Sequence, residues 1–142
     1  MSNKENTLKE QFKQALISTA KVISEDYLLN KESNSKNTDN FEINDLSNKN
    51  DFIRLRAETD SNALKKKFSN NDIFNKNLPN NPSCKSLYNI AEKIRYEVLG
   101  GKMLKGIKKN LNDNYTQKTN THHKDQFKNK KDVSVTEAFE LY

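Results

Sequence analysis

Tryptophan is absent from this 142-residue chain, cysteine occurs once, proline twice and glycine three times. The lone thiol, Cys84, excludes an intrachain disulfide and a thiolate metal cluster. With so little Gly and Pro, the core is expected to be helical. Only 32% of the chain is hydrophobic, so the core is small and a large enzyme pocket is not expected. No apolar run approaches the roughly 20 residues of a membrane span, and no leader-like segment opens the chain; both point to a cytoplasmic protein. The expected fold class is mainly α: a small helical domain of about four helices, with disordered polar linkers and room for one short strand.

What is present in excess is Lys and Asn. A net charge of +6 raises the possibility of a nucleic-acid partner, since clustered Lys and Arg release counterions from phosphate. Asp and Glu are interspersed with the basic residues, however, so no single-sign face focuses a field. The 22 Asn, together with Lys and Ile, are also what an AT-rich coding sequence produces without selection for binding.

The periodicity divides the chain into five parts. Residues 1–29 hold an amino-terminal helix from Thr7 to Tyr27, with Leu8, Phe12, Leu16, Thr19 or Ala20, and Ile23 on one stripe and Thr7 with Glu10 as a capping box. Residues 30–50 read as a polar linker in which Phe41 to Asp45 alternate like a short strand. Residues 51–115 form the helical core. Its first helix starts near Asn50 or Asp51 and carries Ile53, Ala57, Leu64 and Phe68 on one face, interrupted by Asp60 and Ser61. After the Asn-rich stretch to Pro82, in which Ile73, Phe74 and Leu78 suggest one turn, Ser83 caps a long helix running to about Tyr115. All three glycines, Gly100, Gly101 and Gly106, fall inside it, where each costs roughly 1 kcal/mol relative to Ala. Close approach of another backbone, or a break into two helices, would account for them. Residues 116–132 read as a basic polar linker. Residues 133–142 begin a helix capped by Ser134, with Val135, Ala138, Phe139 and Tyr142 on one side, whose pattern stops short.

Sites of known chemistry are not evident. Gly100 to Lys105 lacks the spacing of a phosphate loop, and there is no nucleophile elbow, zinc helix motif or calcium loop. His122 and His123 point apart on any regular element and have no acidic or thiol companions, so no metal site is expected. Glu58 with Asp60, and Glu92 with Glu97, are spaced two and five apart and do not share a helix face as an acid–base pair should.

Two segments resemble a known family. Arg56-Ala57-Glu58-Thr59-Asp60-Ser61-Asn62-Ala63-Leu64 is similar to the Arg-Gly-Glu-Ala-Asp-Ser-x-Ala-Leu stretch of the CobT subunit of aerobic cobaltochelatase. Tyr88 to Gly100, through Glu92, Arg95 and Glu97, resembles the family's Phe-Asp-Ala-x-Glu-Gln-Ala-Arg-x-Glu-Ala-Leu-Gly, and continues into Leu104-Lys105-Gly106-Ile107 and Asn110-Leu111. Phe12 to Ile23 and Val135 to Phe139 resemble the family's opening helix and its Leu-Ala-Glu-Ala-Leu segment. Ala57 departs from the family's Gly, and Ser69-Asn70 stands where a His-Asp pair is usual. The family's acidic middle region and its von Willebrand A-like domain with a metal-ion-dependent adhesion motif have no counterpart, which reads as a fragment, a split gene or a short form.

The resemblance implies a non-catalytic subunit of an ATP-dependent ligase that inserts cobalt into a corrin ring in cobalamin biosynthesis. It implies as partners an AAA+ ATPase subunit (CobS-like) and a large corrin-binding subunit (CobN-like), with ATP, Mg and Co handled by the complex and not bound by this chain. Arg56, Glu58, Asp60, Glu92, Arg95 and Glu97 are the candidates for partner contact or, equally, for a core salt-bridge network, and Gly100, Gly101 and Gly106 for helix packing. The alternative is a small basic helical nucleic-acid-binding or adaptor protein.

Overall fold

The computed structural model describes residues 2–25, 48–125 and 134–141. Six helices make up the described residues: α1 (Ser2–Ser24), α2 (Lys49–Phe68), α3 (Asn71–Lys76), α4 (Pro82–Met103), α5 (Lys105–Asp125) and α6 (Val135–Leu141). The mainly α expectation holds, with six helices in place of about four. The strand expected at Phe41 to Asp45 lies outside the described residues.

α2 is the axis of the fold and packs against α1, α4 and α5. Leu55, Ala57, Thr59, Asp60, Ser61, Ala63 and Leu64 are all buried, a wider arc than the single expected stripe, because three helices cover it. Leu64 is fully buried at the centre of a cluster containing Ile23, Ala57, Ala63, Tyr96, Ile107 and Leu111. A second cluster joins Leu16 to Leu55, flanked by the Phe12 and Phe52 rings at 4.7 Å between centroids.

The helix boundaries correct several expectations. α1 begins at Ser2, so Thr7 lies inside the helix, and Glu10 accepts a bond from Gln14 instead of closing a capping box. The helix stops three residues before Tyr27, where Glu25 takes a left-handed conformation with φ 57° and its carboxylate pairs with Lys67 of α2. Leu8, the first residue of the expected stripe, is exposed. α2 starts at Lys49, one residue before Asn50, because Asn48 accepts the free amide of Asn50. α4 starts at Pro82 and not after a Ser83 cap: Asn81 accepts from the amides of Ser83 and Cys84, and proline at the first helical position loses no bond it would otherwise make.

The expected long helix is two. Leu104 adopts φ −136° and ψ 120°, outside helical space, and divides α4 from α5. Both explanations offered for the glycines apply, at different residues. A Cβ at Gly100 would lie 2.4 Å from both Leu64 methyls, so α2 and α4 meet there at a distance only glycine permits. Gly101 faces Lys108 across the break, at 3.5 Å from a notional Cβ to the lysine Cβ, while Gly106 has nothing within 4 Å. Residues 116–125, read as linker, continue α5: once the 107–115 segment is packed, each further residue adds a backbone bond without repeating nucleation. α6 packs on α4, and Val135, Ala138 and Phe139, the apolar side expected from the sequence, are exposed.

Candidate functional site

The charged residues of the two signature segments separate by depth. Asp60, Ser61 and Glu97 are buried, at 2%, 8% and 7% exposure, between α2, α4 and α5. Such groups need partners, because an unpaired buried carboxylate costs several kcal/mol. They have them. Ser61 donates to Glu97 Oε1 at 2.5 Å, Tyr115 donates to Glu97 Oε2 at 2.8 Å, and Asn110 donates to Asp60 Oδ2 at 2.7 Å. Burial holds the Asp60 carboxyl above its ordinary value, opposed by the Asn110 bond and the charge of Arg56. Burial also pushes the Tyr115 hydroxyl well up, helped by the negative charge of Glu97, so Tyr115 stays a neutral donor. Among the described residues no buried side-chain polar atom lacks a partner.

Glu92 and Arg95 form a second unit that ties α4 to the end of α2. Arg95 donates to both Glu92 oxygens, at 2.7 and 2.8 Å, and to the Phe68 carbonyl at 2.7 Å, one of the carbonyls a helix end leaves open. Ser69 adds a hydroxyl bond to Glu92 at 2.7 Å, and the Arg95 bond leads in holding the Glu92 carboxyl below its ordinary range. Asn70, next to it, caps α3 through the amides of Asp72 and Ile73. The pair Ser69-Asn70 therefore closes one helix and opens another. Arg56 and Glu58 are exposed, as Arg95 is, and Glu58 pairs with Arg54 one turn away at 3.4 Å.

Beside the buried network, α4 and α5 border an open cleft of about 400 Å³ that includes Gly101 and Lys108. Ile94 and Val98 form one wall and Leu111 the other, with Lys102 and Lys108 also lining it. Its far end is bounded by Tyr115 and by Glu140 of α6, which bonds to Lys93 at 2.5 Å. The Lys93 and Lys118 ammonium groups lie 5.6 and 5.7 Å from the Tyr115 ring centroid.

Tyr115, Lys93 and Glu140 are not among the residues singled out from the sequence. A signal for Tyr115 exists: it falls four residues after Leu111 and continues the α5 stripe. Lys93 and Glu140 pair across 47 positions, with nothing local to mark them. Cys84 is free and exposed on the first turn of α4. Among the described residues no group of three or more His, Cys, Asp or Glu is placed to hold a metal ion, and no helix is long and apolar enough to cross a membrane.

A family model described as cobalamin biosynthesis protein CobT matches residues 6–142. No curated protein and no solved structure gave a significant match. The matched span includes the buried network of α2, α4 and α5 and the Glu92–Arg95 clamp, and by that match the chain belongs to the CobT family of cobalamin biosynthesis proteins.

Proposed function

We propose that this chain serves as a non-catalytic assembly subunit, the amino-terminal part of a CobT-like protein, in the ATP-dependent cobaltochelatase that places cobalt in the corrin ring. In this reading it docks an AAA+ ATPase subunit (CobS-like) and joins it to a large corrin-binding subunit (CobN-like). ATP, magnesium and the cobalt cargo are handled by those partners. The observation that carries the reading is the commitment of the signature carboxylates: Asp60, Glu92 and Glu97 all accept bonds from neighbouring helices or helix ends. A carboxylate held in that way fixes a scaffold, while Arg56 on the exposed surface of α2 is left outward for a partner.

The test is a pull-down of the chain against the ATPase subunit from the same source, at moderate salt, with ATP and magnesium. Retention is expected, and Arg56→Glu is expected to weaken it at least about tenfold with helicity unchanged. Arg95→Glu is a different variant: it removes the bonds to Glu92 and to the Phe68 carbonyl, so it should lower the unfolding midpoint. Absence of retention by the well-folded chain would overturn the docking role.

A further inference from the structure

We infer that the cleft between α4 and α5 is a docking groove for an acidic amphipathic segment of a protein partner, which inserts apolar side chains between Ile94, Val98 and Leu111 and pairs its carboxylates with Lys102 and Lys108. Two observations carry this. The α4 wall is apolar and open to solvent, with Val98 50% exposed, while Leu111 on the opposite side is buried and reaches into the core cluster. An open apolar wall on a chain this polar is an uncovered surface of the kind that partners occupy.

The second observation is charge. From Val98 to Asn112 the sequence holds four lysines, Lys102, Lys105, Lys108 and Lys109, and no acidic residue. All four are exposed, and among the described residues no carboxylate lies within ion-pairing distance of any of them. Four cations elsewhere in the fold are matched: Arg54 by Asp51 and Glu58, Lys67 by Glu25, Lys93 by Glu140 and Arg95 by Glu92. Of the two carboxylates that border the cleft, Glu140 is paired with Lys93 and Glu97 is buried and bonded to Ser61 and Tyr115, so neither forms an ion pair with Lys102 or Lys108. A helix or strand with Leu or Phe flanked by Glu or Asp supplies both complements at once. A nucleic-acid strand would meet the lysines but leave Val98 and Ile94 facing phosphate and sugar. The inference rests on the assembly reading for the nature of the partner, a protein, and on the cleft alone for its chemistry.

The probe is a synthetic peptide of about 16 residues, long enough to form a helix, with Leu one helical turn apart and each flanked by Glu. Controls are the same peptide with Gln for Glu, and a single-stranded oligonucleotide of equal charge. Titrated into the isotopically labelled full chain, the acidic peptide should shift the resonances of Ile94, Val98 and Leu111. Its affinity should fall about tenfold or more in the Lys102→Glu/Lys108→Glu variant, whose changes lie on exposed positions and should leave circular dichroism intact. The Gln peptide should bind at least about tenfold more weakly. Shifts spread over all lysine-bearing surfaces, equal binding by the double variant, or tighter binding of the oligonucleotide at these residues would each overturn the groove. The ATPase pull-down separates the two readings. Undiminished retention of the double variant sinks the groove and leaves the docking role standing. Peptide binding in the cleft without ATPase retention does the reverse.

Discussion

A methyl group at position 100 would stand 2.4 Å from both methyls of Leu64, and Leu64 has no free surface into which to move. Two opposing effects meet at this residue. Ala in a helix interior is favoured over Gly by roughly 1 kcal/mol, while forcing an extra carbon into a packed contact costs typically 1–3 kcal/mol. Overpacking should win, so Gly100→Ala is expected to destabilise the chain by up to about 2 kcal/mol in urea unfolding. Gly106 gives the opposite sign. Nothing lies within 4 Å of a notional Cβ there and no glycine has a positive φ, so Gly106→Ala should stabilise by about 0.4–1 kcal/mol. Equal effects at the two glycines would show that the α2–α4 approach does not govern position 100.

At the scale of the element, α6 is a short helix packed on α4. It is seven residues long, shows Val135 and Phe139 to solvent, and is fastened to α4 by the Lys93–Glu140 pair. Burial works against the charge on both partners, yet the bond between them leaves the Glu140 carboxyl below 4.5 and the Lys93 ammonium above 10.5. The sign follows from linkage: a depressed carboxyl contributes stability above its unfolded value and loses it as pH falls through the folded one, and a raised ammonium contributes below 10.5 and loses it above. Docking of α6 should therefore be constant through neutral pH and weaken as pH drops below 4.5. Asp60 acts in the opposite direction, since its raised carboxyl penalises the fold as pH rises from 3.8 through its folded value. Glu140→Gln should reproduce the loosened α6 at neutral pH, at about 1 kcal/mol, seen as lower amide order parameters over residues 135–141 with those of α2 unchanged. Unaltered order in α6 would mean that the pair does not secure it.

For the whole molecule, the sequence was legible where one face of a helix decides burial, as at Leu16 and Ile23 of α1, and in the clustering of glycines that marks the α4–α5 region. At α2 it was legible in part: Asp60 and Ser61 stand on the apolar face in the sequence, but the burial of Thr59 and the identity of the polar partners do not follow from periodicity. These partners come from far along the chain: Asn110 is 50 residues from Asp60, and Glu97 is 36 from Ser61. The glycines suggested a break, but its position at Leu104 was hidden, since neither leucine nor its neighbours demand an extended backbone, and the bend lets Ile107 and Leu111 join the cluster around Leu64. The candidate site was half visible. The charged residues of the signature stand out in the sequence, but which of them face inward depends on the packing of three helices on one.

That same arrangement makes α2 the place where the stability of the whole fold can be tested. α1, α4 and α5 all pack on it, and Leu64, with no exposed surface, lies in the cluster to which α1, α4 and α5 contribute Ile23, Tyr96, Ile107 and Leu111. Leu64→Ala removes buried carbon and leaves a cavity, at about 3–5 kcal/mol, against a total of roughly 5–15 kcal/mol for a small domain. The urea midpoint should fall by a large fraction. Because no tryptophan is present, Tyr96 and Tyr115 report tertiary packing while far-UV circular dichroism reports the helices. If α2 is the common support, the two signals should shift to lower urea together, as one transition. Separation of the tyrosine transition from the loss of helicity would instead show that α4 and α5 hold together without α2, and that the buried bonds of Asp60 and Ser61 to Asn110 and Glu97 fasten two units that are each stable alone.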